Sequence, residues 1–376
     1  MRTFIAIAFA SFIFTCISCN TTQEVIPVKI VTPKKIKAKK PKNVILMIAD
    51  GTGLSQISSG LYYGKKQLNY ERFNDIGLIK TSASDNLITD SAASATAYAA
   101  GVKTYNGAIG VDTFKNPVST ILEELHDANF STGVIATSTI THATPGSFYA
   151  HVDYRKKEDE IALGFLNGKV NFFAGGGLDH FIARKDGRNL VQELQARNFK
   201  IDTTLRANAT VLSSKNYGFL LADKGMPRMI DGRGDFLGRA TALGIKHLKQ
   251  DKDGFFLMVE GSQVDWGGHN NDADYLIGEL LDFDDVLGQV LDFAEKDGET
   301  LVIVTADHET GGFTLASTSN ENGGSDYDTI NPTFSTGGHS ATMVPVFAYG
   351  PGSGKFRGIF ENTEIYHKIK ALTLAR

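Results

Sequence analysis

Short apolar runs alternate with longer amphipathic stretches along most of the chain. Five runs, at 43–49, 132–140, 255–259, 301–306 and 344–349, have the length and the β-branched or aromatic content of buried strands. Apolar residues at three- and four-residue steps predict helices at 189–199, 236–248, 273–296 and 363–374. Apolar strands separated by helices are typical of a mostly parallel sheet covered on both faces. The pattern therefore predicts an α/β fold, a three-layer α/β/α sandwich around a large central sheet.

The first 42 residues follow a different pattern. Arg2 is followed by an apolar stretch at 4–14 and by small residues up to Cys19, as in a secretory signal peptide. Residues 16–19 resemble a bacterial lipoprotein cleavage site, at which Cys19 would carry the lipid; simple cleavage is the alternative. Residues 20–42 hold seven lysines and three prolines without a helical period, which indicates a solvated tether. We therefore expect a signal peptide at 1–19, a tether at 20–42 and one folded domain at 43–376.

Composition and charge narrow the function. The chain has 376 residues, 42% of them hydrophobic, enough for an extensive core. Both cysteines, Cys16 and Cys19, lie in the leader, so the domain itself contains no disulfide. Residues 1–42 carry eight basic and one acidic residue, a net charge of +7, and the remainder carries 30 basic and 41 acidic residues, a net charge of −11. An acidic domain argues against nucleic acid as a dedicated partner. We expect an exported protein, periplasmic or anchored to a membrane as a lipoprotein.

Acidic residues and histidines gather at or just beyond the ends of the predicted strands. Open α/β sheets bind ligands beyond the carboxyl ends of their strands, so these side chains are expected to converge. An aspartate before glycine is, taken alone, usually a turn residue. Mixed carboxylate and imidazole donors suit zinc, whereas carboxylates with a hydroxyl suit magnesium. The residues that together predict a metal site are Asp50, Glu260, Asp265, His269, Asp307, His308 and His339.

Ser91 is the candidate nucleophile. The segment 89–101 predicts a helix that polar residues open and Gly101 closes, with Ser91 in its first turn. Free N–H groups and the positive end of the helix dipole there favour a phosphate or an alkoxide. A serine at a helix start is most often only a cap, but Asp90 can cap this helix and leave Ser91 free. Because a serine hydroxyl needs activation, a neighbouring metal is expected to supply it.

Several motifs carry a family resemblance. Residues 90–96 (DSAASAT) and 101–107 (GVKTYNG) closely resemble the nucleophile segment of bacterial alkaline phosphatases. The likeness continues through 305–312 (TADHETGG) and 338–341 (GHSA), and it extends over most of the chain. It implies the fold of that family and hydrolysis of phosphate monoesters to an alcohol and inorganic phosphate through a phosphoserine intermediate. It also implies two zinc ions (Zn²⁺), one magnesium ion (Mg²⁺) and a homodimer.

The resemblance implies roles for individual residues as well. The first zinc ion would be bound by Asp265, His269 and His339, the second by Asp307, His308 and Asp50, and the magnesium ion by Asp50, Thr144 and Glu260. Arg155 resembles the arginine that grips the phosphate as a fork, and Asp90 resembles the acidic residue that orients this arginine.

Two positions depart from the common bacterial pattern. His142 stands where many members have an aspartate linked to magnesium, and Trp266 stands where they have a lysine that contacts phosphate through water. This pair is similar to a subgroup that includes cold-adapted and marine bacterial enzymes. His142 is therefore expected to meet the third ion directly, through water, or not at all, and both side chains are candidate neighbours of that ion or of the phosphate.

The other histidines have no such motif around them. His126, His180, His247 and His367 are expected to be surface or structural residues, and His151 is expected to be a packing residue despite its closeness to Arg155.

Two other functions have to be weighed. A phosphodiesterase or sulfatase of the same superfamily is disfavoured, because such diesterases tend to use threonine and sulfatases need a proline two residues after the nucleophile, where Ala93 stands. A phosphate-binding lipoprotein without activity has no need for a nucleophile beside two zinc sites. The physiological monoester stays open.

Overall fold

The computed structural model describes residues 40–204 and 214–374. The expected signal peptide and all but the last three residues of the expected tether lie outside these ranges. Among the helices of the described part, none is both long and apolar enough to cross a bilayer.

The described residues form strands and helices in frequent alternation. The strands are β1 Asn43–Ala49, β2 Asp75–Lys80, β3 Ser131–Thr139, β4 Phe172–Gly176, β5 Phe199–Asp202, β6 Asn216–Leu220, β7 Phe255–Gly261, β8 Thr300–Thr305, β9 Glu309–Thr310, β10 Thr314–Ser319, β11 Ser325–Thr333, β12 His339–Ser340, β13 Val344–Tyr349 and β14 Gly358–Glu361. The α-helices are α1 Leu54–Tyr63, α2 Ser91–Ala100, α3 Ile121–Asp127, α4 Ala143–Gly146, α5 Glu158–Ala162, α6 Asp179–Ile182, α7 Leu190–Ala196, α8 Phe236–Leu248, α9 Gln263–His269, α10 Ala273–Asp297 and α11 Glu364–Thr373.

Ten of the described strands form one sheet, in the order β14-β2-β13-β8-β1-β7-β3-β4-β6-β5. β13 runs antiparallel to both of its neighbours, and every other pairing in the sheet is parallel. The central pairs are in close register, with Ile48 of β1 opposite both Glu260 of β7 and Thr305 of β8. The predicted mostly parallel sheet is therefore confirmed.

Helices cover both faces of this sheet because its central strands are apolar on both sides. Along β1, Val44, Leu46 and Ile48 belong to one core cluster, which includes residues of α2, α3 and α11. Ile45 and Met47 belong to a second cluster, packed against α8 and α10. These residues are wholly buried, and the alternation of their side chains gives the predicted three layers.

One predicted boundary was wrong. The helix expected at 189–199 ends at Ala196, and Phe199 begins β5 at the edge of the sheet. Asn198 has a φ of +65°, a left-handed conformation that ends the helix and turns the chain into the strand. Phe199 looked helical because its apolar side chain continues the spacing of α7, although it is buried through a strand.

The strand order decides where functional side chains can meet. The neighbours β8, β1, β7 and β3 are parallel and end at the same edge of the sheet. Asp307 follows β8, Asp50 follows β1, Glu260 lies near the end of β7, and Thr144 follows β3 in α4. Side chains from four separate stretches of sequence are thus delivered to one crevice.

Candidate active site

Ser91 is the first residue of α2. Asp90 caps this helix, since its Oδ1 accepts a hydrogen bond of 2.9 Å from the backbone N–H of Ala93, and Gly101 ends it with a φ of +71°. Ser91 is almost fully buried, and its Oγ lies 3.2 Å from Nε2 of His308. The serine hydroxyl therefore does not cap the helix, as expected from the sequence, and it faces His308 beyond β8.

Asp50, Asp307 and His308 form one group of possible metal ligands. Their donor atoms lie within 4.8 Å of one another, and all three side chains are fully buried. The backbone N–H of Gly51 donates to Asp307 Oδ1 at 3.1 Å and holds that carboxylate in place. Among the described residues, both carboxylate oxygens of Asp50 and Oδ2 of Asp307 have no hydrogen-bond donor. Three buried carboxylate oxygens are thus left facing this space.

Asp265 and His339 form a second group with His308, since the donor atoms of these three residues also lie within 4.8 Å of one another, and His269 adjoins it. Asp265 and His269 are one turn apart on α9, with His269 Nε2 at 3.4 Å from Asp265 Oδ2. The Nε2 atoms of His269 and His339 lie 3.1 Å apart. Each ring is oriented by a hydrogen bond from its Nδ1. His269 Nδ1 donates to the carbonyl of Gly337 at 2.7 Å, and His339 Nδ1 donates to the carbonyl of Thr89 at 2.8 Å. Backbone carbonyls that hold Nδ1 leave Nε2 available for a metal.

A third set lies at the ends of β7 and β3. Glu260 and Thr144 are buried, and among the described residues Glu260 Oε1 and Thr144 Oγ1 have no hydrogen-bond partner. Burial raises the pKa of Glu260 to about 8, and the nearby charge of Asp307 adds to the rise. A carboxylate beside a hydroxyl, with Asp50 close by, is a donor set suited to magnesium.

His142 and Trp266 border this third set. His142 is the residue before α4 and makes no side-chain cap bond to it. Its Nε2 is 3.5 Å from Nη2 of Arg155, and its ring meets that of Trp266 edge-on with centroids 5.9 Å apart. Burial and then the charge of Arg155 lower the pKa of His142 to about 4. Both effects favour the neutral imidazole of His142 beside Arg155.

Arg155 lies across the crevice from the metal-ligand groups. Its Nη1 donates to Oδ2 of Asp90 at 3.0 Å, and its backbone N–H donates to the carbonyl of Gly107 at 2.8 Å. The ion pair is partly buried on both sides. The guanidinium is thus fixed beside the start of α2, where a phosphate would also receive the helix N–H groups.

The electrostatics of the crevice fit bound cations. Burial raises the pKa of Asp50 well above its ordinary range, and the charges of Asp307 and Asp265 raise it further. Buried carboxylates that repel one another and lack donors are stabilised when a divalent cation lies between them. The residues present therefore fit two ions in mixed carboxylate and imidazole surroundings and one in an oxygen-rich set.

Sequence reasoning missed Thr310. Its Oγ1 donates to Oδ1 of Asp265 at 2.5 Å and lies 3.1 Å from Nδ1 of His308, so it joins the two groups of ligands. Thr310 stands inside the TADHETGG motif, but the motif alone does not say which of its polar residues hold the ligands in place. Its antiparallel partner is His339, through the short pairing of β9 with β12.

Comparison with known proteins decides the family. A family model described as alkaline phosphatase matches residues 41–329. The chain belongs to the alkaline phosphatase family. Alkaline phosphatase 3 of Bacillus subtilis is 35% identical over an alignment that covers 90% of each protein.

Solved alkaline phosphatases share the fold closely. The enzyme from the Antarctic bacterium TAB5 is 56% identical, with a TM-score of 0.88 over 89% of this chain and 99% of that one. A His-to-Asp variant of the TAB5 enzyme has been solved with magnesium bound in its M3 site. The cold-active enzyme of a psychrophilic Shewanella is 28% identical, with a TM-score of 0.80 over 88% of this chain and 99% of that one.

These findings confirm the predicted class of activity. The protein is an alkaline phosphatase, a hydrolase of phosphate monoesters. Its cofactors are those of the family, two zinc ions and one magnesium ion, and the donor sets described above fit them.

Proposed function

We propose that Ser91 is the nucleophile of this alkaline phosphatase. The observation that carries the proposal is the position of Ser91 Oγ, 3.2 Å from His308 Nε2 at the start of a helix that Asp90 already caps. The hydroxyl therefore contacts His308, which belongs to both groups of possible metal ligands, and Arg155 is held by the adjacent residue Asp90. A phosphate in this crevice would meet a nucleophile, cations and a guanidinium at once.

We assign the metal ligands as the resemblance implied. Asp265, His269 and His339 would hold one zinc ion, Asp307, His308 and Asp50 the other, and Asp50, Thr144 and Glu260 the magnesium ion. Contacts of 3.1–3.6 Å among the donor atoms of Asp265, His269 and His339 support the first set, and the close grouping of Asp50, Asp307 and His308 supports the second. His308 also lies within 4.8 Å of Asp265 and His339, so the two zinc sites would adjoin. The unpartnered buried oxygens of Glu260 and Thr144 support the third. His142 and Trp266 would border the magnesium site. The TAB5 enzyme, 56% identical, binds magnesium in its M3 site when a histidine is changed to aspartate, which supports a magnesium site in this chain as well. The ions, when bound, neutralise phosphate charge and lower the pKa of a coordinated hydroxyl or water.

The reaction then proceeds in two displacements at phosphorus. Ser91 Oγ attacks the phosphorus, a new O–P bond forms as the bond to the alcohol oxygen breaks, and the alcohol leaves. A water molecule then attacks the phosphoserine, which breaks the bond to Ser91 Oγ and releases inorganic phosphate. Throughout, Arg155 donates to phosphate oxygens from a position set by Asp90, and the N–H groups of the first turn of α2 offset their charge.

Hydrolysis of p-nitrophenyl phosphate at alkaline pH tests this proposal. The purified domain and its Ser91→Ala variant are each assayed with and without a chelator, and bis-p-nitrophenyl phosphate is run in parallel. We expect monoester turnover that needs both Ser91 and metal. Turnover of the diester alone would instead favour a phosphodiesterase, and phosphate binding without turnover of either ester would favour a binding protein.

We also propose that the enzyme acts outside the cytoplasm as a homodimer. The leader at 1–19 supports export, the lipoprotein-like segment before Cys19 supports a lipid anchor there, and 43–376 would be the catalytic domain. Labelling of the expressed chain with a radioactive fatty acid, compared with a Cys19→Ser variant, tests the anchor. Sedimentation of the purified domain tests the dimer, and a monomer mass would contradict it.

A further inference from the structure

A cavity of about 540 Å³ opens beside the metal-ligand groups. His269 and Trp266 line its inner side, and Arg228, Asp231 and Tyr275 line its other walls. This volume is in the range of sites that bind small organic molecules and is far larger than a phosphate needs. The reaction described above does not account for it.

A series of contacts through three histidines separates this cavity from Ser91. Ser91 touches His308, the ring of His308 stacks on that of His339 at 3.5 Å, and His339 touches His269, which lines the cavity. In an in-line displacement the leaving alcohol departs opposite the attacking oxygen. The alcohol part of a bound ester would therefore point toward the cavity.

The inner wall of the cavity is rigid. Gln263 donates through Nε2 to the carbonyls of Thr137 and Met226, both at 2.8 Å, and its Oε1 accepts from the hydroxyl of Tyr275 at 2.7 Å. Trp266 packs against the backbone at Gly225, where a β-carbon would come within 3.1 Å of the indole ring. The aromatic surfaces are therefore fixed before any ligand enters.

The outer wall, residues 226–231, is held by a buried cluster of charges. Arg233 pairs with Glu279 and, at 2.8 Å, with Asp282, and all three side chains are almost fully buried. Glu279 also accepts from the backbone N–H of Met229 at 2.8 Å, and Arg233 donates to the carbonyl of Pro227 at 3.2 Å. These buried charges fix a wall that carries no residue of the proposed reaction.

Arg228 adds to this wall a cation that has N–H groups outside its ion pair with Asp231. Its guanidinium lies over the ring of Tyr275, 5.1 Å from the centroid, and pairs with Asp231 through Nε and Nη2. Nη1 takes no part in that pair. A guanidinium and an indole ring that line one cavity suit a flat, electron-rich ring that stacks on Trp266 and accepts hydrogen bonds at its edge.

We propose that this cavity is a subsite for the alcohol part of the substrate, and that it favours the base of nucleoside 5′-monophosphates. A nucleobase offers a flat face and several edge acceptors, and the ribose carries it beyond the phosphate toward Arg228. The inference rests on the proposed function, because it takes the phosphate to lie between Ser91 and the metal ligands.

Adenosine 5′-monophosphate and ribose 5-phosphate form a matched pair for the test, since they share the phosphate ester and differ by the base. The ratio of their kcat/KM values is measured for the metal-loaded wild type, for Arg228→Ala and for Trp266→Leu. Any effect of Trp266 on the neighbouring ion acts on both substrates and cancels in the ratio. Arg188→Ala is the control, because Arg188 makes a similar pair with Glu193 and is equally exposed.

We expect the wild type to prefer the nucleotide. The ratio should fall by about threefold or more in Arg228→Ala and by about fivefold or more in Trp266→Leu, since a cation and a stacking ring each contribute roughly that much to affinity. In Arg228→Ala the loss should appear in KM, with ribose 5-phosphate turnover unchanged, and Arg188→Ala should match the wild type.

Two results would overturn the inference in distinguishable ways. Turnover of both substrates with equal efficiency, and a ratio that neither variant changes, would contradict the subsite and leave the phosphatase proposal standing. Turnover of neither substrate by the metal-loaded wild type would contradict the proposed reaction itself and the subsite with it.

p-Nitrophenyl phosphate is a third substrate in the comparison. If Arg228→Ala lost as much kcat/KM for this ester as for the nucleotide, the cavity would select any aryl ring. That result would contradict the preference for a base.

Discussion

Asp90 uses its two carboxylate oxygens for two different partners. Oδ1 accepts from the backbone N–H of Ala93 and caps the helix that begins at Ser91, and Oδ2 accepts from Nη1 of Arg155 at 3.0 Å. One residue therefore sets both the start of the nucleophile helix and the position of the arginine. The spacing between the proposed nucleophile and the proposed phosphate-binding arginine therefore depends on a single carboxylate.

Two substitutions, Asp90→Asn and Asp90→Ala, separate these roles. An asparagine side chain would still accept from the N–H of Ala93 but would lose the ion pair, whereas an alanine side chain would lose both contacts. Both substitutions should raise the inhibition constant of inorganic phosphate by about tenfold, because a charge-assisted hydrogen bond that positions Arg155 is lost. Asp90→Ala should in addition lower the free energy of unfolding by about 1 kcal/mol relative to Asp90→Asn.

Phosphate inhibition and denaturant unfolding of the metal-loaded variants measure the two effects. Arg155→Ala serves as the reference for complete loss of the guanidinium. If phosphate inhibited Asp90→Asn and the wild type equally, Asp90 would not be what positions Arg155.

Gly51 follows Asp50 in the turn after β1 and packs against Asp265 and Thr310. It has a φ of +74°, and a β-carbon there would lie 2.6 Å from Cα of Asp265 and 2.9 Å from Oγ1 of Thr310. Gly51→Ala should therefore lower the free energy of unfolding by about 2–5 kcal/mol, because the alanine would combine left-handed backbone strain with overpacking. It should also weaken zinc binding.

Gly168→Ala is the matched control for that change. Gly168 has a φ of +75°, but among the described residues no atom lies within 4 Å of the β-carbon position. Gly168→Ala should lower the free energy of unfolding by only about 1–2 kcal/mol and leave zinc affinity unchanged. Unfolding and zinc titration of both variants give the comparison, and equal losses would mean that contact with Asp265 and Thr310 is unimportant.

Removal of the metals should expose the repulsion within the crevice. Asp50 is fully buried, its oxygens have no donor among the described residues, and burial raises its pKa. Asp50→Asn should therefore stabilise the metal-free protein at alkaline pH, where the wild-type carboxylate is forced to ionise, by about 1 kcal/mol or more. The same change should destabilise the metal-loaded protein.

Thermal or denaturant unfolding measures both predicted changes in stability: the gain in the presence of a chelator and the loss with added zinc and magnesium. A variant less stable than the wild type in both states would show that Asp50 is held by the protein alone, and the assignment of Asp50 as a shared ligand would then fail.

His151 gives the fold a pH-dependent contact away from the metals. The sequence suggested a packing residue, but Nδ1 lies 2.6 Å from the carbonyl of Gly110 and Nε2 lies 3.1 Å from Oε1 of Glu123. Both partners are acceptors, so the doubly protonated ring fits best. Burial lowers the pKa of His151, but these two acceptors outweigh it and the net pKa is raised above 6.5.

The sign of the effect on stability follows from this shift. A raised histidine pKa contributes stability that is fully present below the unfolded value of 6.5 and is lost as the pH rises through the folded value. Glu123→Gln should weaken this pH dependence, since only the Gly110 carbonyl then raises the pKa of His151, and glutamine can still accept from Thr120 in the capping box of α3. Unfolding free energies of the two proteins should therefore differ most below pH 6.5 and converge above the folded pKa, and a constant difference would contradict the contact.

The sequence predicts those parts of the site that lie at strand ends. Asp50 and Asp307 follow apolar runs that could only be central strands, so their convergence follows from a parallel sheet. Arg155 has no such local signal, and its place depends on Asp90 and Gly107, which are distant in sequence. It was found only through the family resemblance.

The cavity wall lay beyond sequence reasoning for the same reason. Residues 226–231 have no periodic pattern. Their position is set by Arg233, which follows them closely, and by Glu279, which is distant in sequence. Thr310 was likewise hidden among several polar residues of one motif. Features that depend on a few long-range polar contacts have no pattern along the chain from which to predict them.

Trapping of the covalent intermediate tests the central claim most directly. The metal-loaded enzyme is mixed with ³²P-labelled inorganic phosphate or a labelled monoester, quenched in acid and digested, and the labelled peptide is sequenced, with Ser91→Ala and Ser94→Ala in parallel. We expect label on Ser91 in the wild type and in Ser94→Ala, and none in Ser91→Ala. Label on another residue, or full turnover by Ser91→Ala, would contradict the account.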